Sequence, residues 1–287
     1  MDHTLIRHSC LSVNLVQNAR RVKRVPIITL LSDFGLQDPY VAEMKAVILS
    51  ICPETRLVDI SHEIEKFNIH MGAFILASAT PYFPASTIHV AVVDPGVGTK
   101  RRPIIVETKC SFYVGPDNGI LMLAAHKEGM RHVYHVKNSQ YMLSQVSRTF
   151  HGRDIFAPVA AHLANGHAPS DFGPEIHDYA LPESAKPCMK RAKLSGEILH
   201  IDGFGNLVIN ISREDLEKMG IREDLDFVVQ FNGKTISLRL CSAYGGVPRK
   251  SPLAIIGSGG FLEFSVNQGS ASQIFSLKIG DHVFVSR

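Results

Sequence analysis

Six side chains have types and settings suited to chemistry: Asp33, Asp94, Arg101, His151, Asp154 and Asp202. Asp94 and Arg101 share one stretch, Thr87–Arg102, which reads TIHVAVVDPGVGTKRR. An acid beside a guanidinium can hold a small polar reactant by charge-assisted hydrogen bonds. A histidine can exchange a proton with that reactant near neutral pH. A metal-dependent phosphoesterase would also use acids and histidines. The chain has no H-x-H or H-E-x-x-H spacing, so no metal ligands are expected. A serine hydrolase would show a G-x-S-x-G elbow, which is absent. Gly257-Ser258-Gly259-Gly260 could cradle a phosphate or, more simply, join two strands. His62, His70 and His89 fall within or beside elements and read as surface or packed residues. Taken alone, Thr87–Arg102 reads more simply too, as an Asp capping its own turn before solvated basic residues.

The elements that must position these groups follow from periodicity. Thr87–Val93 is β-branched and apolar enough for a buried strand, which puts Asp94 at its carboxyl end. Pro95, Gly96 and Gly98 then predict a tight turn in which the glycines are free to take positive φ. Ligands of open α/β sheets bind outside the carboxyl ends of the strands. Ile27–Leu31 is a second such strand and ends in Ser32-Asp33-Phe34-Gly35. Between these two lie a helix from Tyr40 to Pro53, a strand at Arg56–Ile60 and a helix at Asn68–Tyr82. Strand–helix–strand–helix–strand is the signature of parallel βαβ units. Short strands at Ile104–Val106 and Phe112–Val114, a turn at Gly115–Gly119, a helix at Ile120–Ala125 and a strand at His132–Val136 come next. Thr149-Phe150-His151-Gly152-Arg153-Asp154 leads into a helix at Ile155–Leu163.

The expected fold is an α/β N-terminal domain with a mainly parallel sheet over 25–180, a linker at 181–192 and a smaller β-barrel domain over 193–287. The barrel strands are expected at Gly196–Ile201, Leu207–Ile211, Phe227–Phe231, Thr235–Leu240, Phe261–Val266 and His282–Val285, with Ser212–Met219 helical. Asn232-Gly233 predicts a hairpin turn. Residues 1–24 are basic and nearly free of acids, and are set aside as a disordered extension. The 287 residues carry a formal net charge of only +3, and no basic patch is interleaved with aromatics, so no nucleic-acid partner is expected. No apolar run reaches the length of a transmembrane helix, so no membrane is expected. The five cysteines are scattered and form no C-x-x-C, which fits reduced thiols in a cytoplasmic protein.

Seven strings go further when taken together and in order. They are Ser32-Asp33-Phe34-Gly35, Val58-Asp59-Ile60-Ser61-His62, Val93–Thr99, Pro116-Asp117-Asn118-Gly119, Thr149–Asp154, Asp202-Gly203-Phe204-Gly205-Asn206 and Val266–Ala271. From about Ile27 to the C-terminus the chain resembles the adenosine-forming S-adenosylmethionine (SAM) hydrolases, or SAM hydroxide adenosyltransferases, relatives of fluorinases and chlorinases. The resemblance implies hydrolysis of SAM to adenosine and L-methionine, SAM being the substrate; with no metal-ligand cluster in the sequence and a sulfonium that leaves without a Lewis acid, no metal or further cofactor is expected. It implies a homotrimer whose sites lie between one subunit's N-terminal domain and the next subunit's C-terminal domain. It carries a water-activating triad onto Asp94, Arg101 and His151, and a ribose-binding acid onto Asp33. It carries methionine contacts onto Asp202 and Asn206, an aromatic against adenine onto Phe204, and a further substrate contact onto Ser258. Gly259-Gly260 departs from the larger or charged residues that relatives often have there. Two alternatives accompany this reading: a SAM-dependent halogenase, and a SAM-binding sensor without turnover. A halide needs no water-activating acid and base, and a sensor has no need to keep them together.

Overall fold

Runs of β-branched and apolar residues supply the strands of the first unit: β1 (Ile27–Ser32), β2 (Arg56–Ser61), β3 (Ile88–Val92), β4 (Pro103–Thr108), β5 (Phe112–Pro116) and β6 (Met130–His135). The computed structural model describes residues 25–181, 187–190 and 193–287. The extension 1–24 and the linker residues 182–186 and 191–192 lie outside the described residues. The chain divides into two units, Met1–Leu181 and Pro182–Arg287.

The sheet of the first unit has the order β2-β1-β3-β5-β4-β6. Pairs β1–β2, β1–β3 and β3–β5 are parallel, as the βαβ pattern predicts. Pairs β4–β5 and β4–β6 are antiparallel, so the sheet is mixed and the expectation of a mainly parallel one is corrected. The reason is chain length. Only Lys109, Cys110 and Ser111 separate β4 from β5, whereas a parallel crossover needs about a dozen residues.

Helices α1 (Tyr40–Ile51), α2 (Ile69–Ala79), α3 (Met122–Glu128) and α4 (Ala157–Ala164) cover the sheet. Alternation along the strands splits the core between its two faces. Ile28, Leu30, Val90 and Ile105 pack with Met44 and Ile48 of α1 and Val159 of α4. Leu31, Ala91, Ile104 and Val106 pack with Leu76 of α2 and Ala124 of α3. The helix expected from Ile155 instead begins earlier, as a π-helical turn at Gly152–Phe156 that runs into α4.

The second unit contains β7 (Cys188–Lys190), β8 (Lys193–Ile201), β9 (Leu207–Ser212), β10 (Asp226–Phe231), β11 (Lys234–Cys241), β12 (Pro252–Ile256), β13 (Phe261–Val266) and β14 (His282–Ser286). The order β14-β10-β11-β12-β13-β9-β8 closes through a β14–β8 pairing into a seven-stranded barrel. Phe227, Leu262 and Phe264 fill its interior. Asn232-Gly233 turns the β10–β11 hairpin, with Phe231 opposite Lys234. Strands β7 and β12 and a short helix at Ala271–Phe275 are additions to the expected elements. β7 falls inside the expected linker and pairs antiparallel with β8.

Candidate active site

Asp94 lies just past the end of β3, where Thr87–Val93 leaves the sheet. The following turn is closed by hydrogen bonds from the Val97 amide to the Asp94 carbonyl (3.2 Å) and from the Thr99 amide to the Gly96 carbonyl (3.2 Å). Thr99 Oγ1 donates to that same carbonyl and accepts from the Arg101 amide, at 2.7 and 3.3 Å. This doubling back returns Arg101 to Asp94. Its Nε donates to Asp94 Oδ1 at 3.0 Å and its Nη2 donates to Oδ2, a bidentate pair. The side chains are only 7% and 5% exposed. The guanidinium carbon lies 5.4 Å from the centre of the Phe156 ring. Arg101 Nη1 is buried and has no hydrogen-bond partner among the described residues.

Gly98 connects this turn to the third member of the cluster. It has φ +74°, and a Cβ there would stand 2.2 Å from the Arg148 carbonyl oxygen. A side chain at this position would therefore drive the turn away from the segment that leads into His151. Gly96, by contrast, is not at positive φ. His151 caps the π-helical turn, and its Nδ1 lies 3.0 Å from Arg101 Nη2. A guanidinium has only donors, so Nδ1 is the acceptor and the neutral ring carries its proton on Nε2. Burial, and then the positive charge of Arg101, push the His151 pKa below its ordinary value against the opposing pull of Asp94 and Asp154.

Asp33 stands at the end of β1 and is 6% exposed. Its Oδ2 accepts from the Phe67 amide at 2.9 Å, and its carbonyl accepts from Lys66 Nζ. Phe67 holds this contact in the left-handed region at φ 66°, a strained conformation for a bulky residue. His62 secures the same turn from below. Its Nδ1 is 2.7 Å from Ser32 Oγ, and its carbonyl accepts from the Gly35 amide at 2.8 Å. His62 Nε2 lies 3.1 Å from Asp59 Oδ1 without the alignment of a hydrogen bond. His62 is thus packed, as expected, and also tied to the strand end that carries Asp33.

Sequence reasoning passed over two supports. Asn118 Nδ2 donates to the carbonyl of Val93 at 2.8 Å, beside Asp94. Asp117 Oδ2 accepts from Nε of Arg102, the neighbour of Arg101, at 2.8 Å. Their signal was present as the turn string Pro116-Asp117-Asn118-Gly119, in which Asn118 also closes the turn by accepting from the Ile120 amide at 3.2 Å. Asp154 does not join the Asp94–Arg101–His151 cluster. It is buried in the π-helical turn and bonded to Arg153 and Ser147.

The remaining candidates belong to the second unit. Asp202 Oδ1 accepts from the amides of Phe204 (2.9 Å) and Asn206 (2.8 Å), and Oδ2 accepts from Asn206 Nδ2 (2.8 Å). Gly205 closes this turn at φ +83°, where a Cβ would stand 2.1 Å from Ser270 Oγ. Phe204 at the tip is 82% exposed. Ser258 is exposed on the turn between β12 and β13, so the glycine-rich run is a hairpin connection. Glu263 lies against Gly257 and accepts from Tyr244 Oη at 3.1 Å. Burial raises its carboxyl pKa, and the charge of Asp202 adds to the rise. Among the described residues, no group of three or more His, Cys, Asp or Glu side chains could hold a metal ion.

Residues 28–173 match the model of the SAM hydroxide adenosyltransferase N-terminal domain, and residues 196–284 match that of the C-terminal domain. An (R)-S-adenosyl-L-methionine hydrolase of Thermus thermophilus is 36% identical over 260 residues, covering 88% of this chain and 96% of that one. Another of the same name from Methanocaldococcus jannaschii is 36% identical, covering 90% and 94%. Fluorinases match as well, at 29% identity for that of an Actinoplanes species. The crystal structure of an uncharacterised conserved protein from Thermotoga maritima superposes with a TM-score of 0.85 at 38% identity, covering 91% of this chain and all of that one. With both domain models matched in order across the two units, the chain belongs to the SAM hydroxide adenosyltransferase family.

Proposed function

We propose that this protein hydrolyses SAM to adenosine and L-methionine by attack of water at C5′. The observation that carries the reading is the contiguous, largely buried cluster of Asp94, Arg101 and His151 at a strand end, in a chain whose relatives include hydrolases of that name. The fluorinase relatives stand further away in identity than the hydrolases, which favours water over halide.

The reaction is a displacement. A water oxygen bonds to C5′, the C5′–S electron pair goes to sulfur, and methionine leaves as a neutral thioether while one proton is released. Holding the water in line can contribute about 7–11 kcal/mol in favourable cases. A positioned proton acceptor adds typically ~10²–10⁴-fold. His151 Nδ1 already accepts from Arg101, so Nε2–H is the ring's donor, for the Ser147 carbonyl that faces the ring and for the water oxygen. Each Asp94 oxygen keeps a second lone pair beyond its bond to Arg101, which makes Asp94 the proton acceptor of the cluster. Arg101 keeps its proton throughout and holds the other two in register. Asp33 binds the ribose diol, Asp202 and Asn206 the methionine part, Phe204 the adenine face, and Ser258 a further substrate atom. The enzyme works without metal or added cofactor, as a cytoplasmic homotrimer with each site shared between subunits. The resemblance is the basis for the substrate contacts and the trimer, the lack of metal-ligand spacing for the metal-free reading, and the scattered cysteines for the cytoplasm.

Reaction in ¹⁸O-water tests the reading. The label is expected in the 5′-hydroxyl of adenosine and not in methionine, with no 5′-halo-5′-deoxyadenosine when chloride or fluoride is added. A halogenated nucleoside as main product would make the protein a halogenase. Binding of SAM without any product would leave the sensor.

A further inference from the structure

Asp154 was singled out by its sequence setting, and the triad leaves it without a role. Its side chain is wholly buried, and both oxygens are committed. Oδ1 accepts from Arg153 Nε at 2.6 Å and Oδ2 accepts from the Ser147 amide at 2.7 Å. Its own backbone closes the loop, accepting from the Leu143 amide at 2.9 Å and donating to the Phe150 carbonyl at 3.1 Å. Arg153 reaches on through Nη1 to Glu43 of α1 at 2.8 Å and lies over the Phe150 ring at 5.1 Å. The segment 143–150 is therefore clasped at both ends, and His151 is the next residue.

Stability does not account for this arrangement. A buried ion pair contributes little net stability, and apolar residues of similar volume often serve as well or better. What a carboxylate with two fixed donors supplies is orientation. The π-helical turn points the same way, since single π turns inside helices cluster at functional sites.

We propose that Asp154 is a positioning residue for His151: by holding the Ser147 amide and the Arg153 guanidinium it fixes the segment that bears the imidazole, and so sets the His151–Arg101 hydrogen bond. This rests on the catalytic reading of His151. The groups facing that ring are Arg101, Asp94, Asp154 and the Ser147 carbonyl.

The test uses full-length protein with ¹⁵N-labelled histidine, the His151 signals being assigned by their absence in His151→Gln. In Asp154→Asn the His151 ring shifts are expected to move. The ring's titration midpoint should fall below that of the parent, because a negative charge that raises it is gone. The kcat for SAM should drop about 10²-fold, the size of effect that a small misplacement produces, with KM within about 3-fold. A folded Asp154→Asn protein with unchanged ring shifts and kcat overturns the proposal. A merely structural role would lower Tm and move the midpoint through the lost charge, but leave the ring shifts of the neutral form at high pH and kcat per folded molecule alone. Should Asp154→Asn not fold, Arg153→Met removes one clasp at a partly exposed site. Moved ring shifts with lowered kcat then support the proposal, and parental values of both refute it. Full activity in His151→Gln would instead bring down the catalytic reading, while the ring-shift comparison would still decide the positioning.

Discussion

Replacing Arg101 by Lys keeps the positive charge and removes the fork. Arg101 makes two hydrogen bonds to Asp94 and one, at 3.0 Å, to His151 Nδ1. An ammonium is a single point of charge and cannot span two acceptors as a planar guanidinium does. At least one charge-assisted bond is lost, each contributing about 1.5–3 kcal/mol. With Asp94 and Arg101 only 5% and 7% exposed, water does not readily replace it. The variant is therefore expected to be destabilised by about 2 kcal/mol. The larger effect falls on catalysis. Losing one preorganised donor beside the reacting atoms costs about 10²–10³ in kcat. KM should hardly change, because Arg101 is assigned no contact with SAM. Initial rates of adenosine formation against SAM concentration, with thermal unfolding measured on the same samples, give both numbers. A folded Arg101→Lys protein with parental kcat would refute the reasoning. So would a raised KM at unchanged kcat, which would make Arg101 a binding residue.

Activity should survive EDTA and extensive dialysis, since a sulfonium needs no Lewis acid to leave; restoration of a lost activity by a divalent ion would contradict this. Asp33→Ala should weaken SAM binding measured by calorimetry and raise KM more than it lowers kcat, and unchanged affinity would remove Asp33 from the ribose. Burial pushes the His89 ring down to about 3, from 6.5 for the free group. The unfolded chain thus binds a proton that the folded one refuses. The contribution to stability is whole above pH 6.5 and is lost as pH falls toward 3, by up to about 1.4 kcal/mol per pH unit. Urea midpoints at pH 7 and pH 4.5 should differ less in His89→Gln than in the parent, and equal differences would show that other groups carry the acid sensitivity.

The local order was legible wherever one rule dominated. Helical spacing of Val41, Met44 and Ile48 defined α1, and the β-branched, apolar run Thr87–Val93 defined β3. The direction of β4 was not legible from strand pattern, because a strand buried on both faces reads the same either way. It was contained in the short Lys109–Ser111 connection, which sequence reading had not used. β12 escaped because Pro252-Leu253-Ala254-Ile255-Ile256 opens on a proline and does not alternate. At the site, residue types and strand ends pointed to Asp94 and Asp33, but spacing could not reveal that His151 meets Arg101. That contact crosses 50 residues and depends on Gly98 lying against Arg148. The strings supplied it through resemblance, not through geometry.

The balance of charge in the cluster bears on which nucleophile it suits. Asp94 and Arg101 cancel, and His151, its pKa lowered, is neutral at pH 7. A halide entering such a place would lose its hydration without a net opposing charge, and the carboxylate would repel it at close range. Water has the opposite needs. It donates as well as accepts, and it is matched only by a site with both kinds of partner. His151 Nε2–H and the Arg101 guanidinium are donors, and Asp94 is the acceptor. Charge neutrality and mixed hydrogen-bonding character therefore select the same nucleophile. They do so through one arrangement, the guanidinium held between a carboxylate and an imidazole.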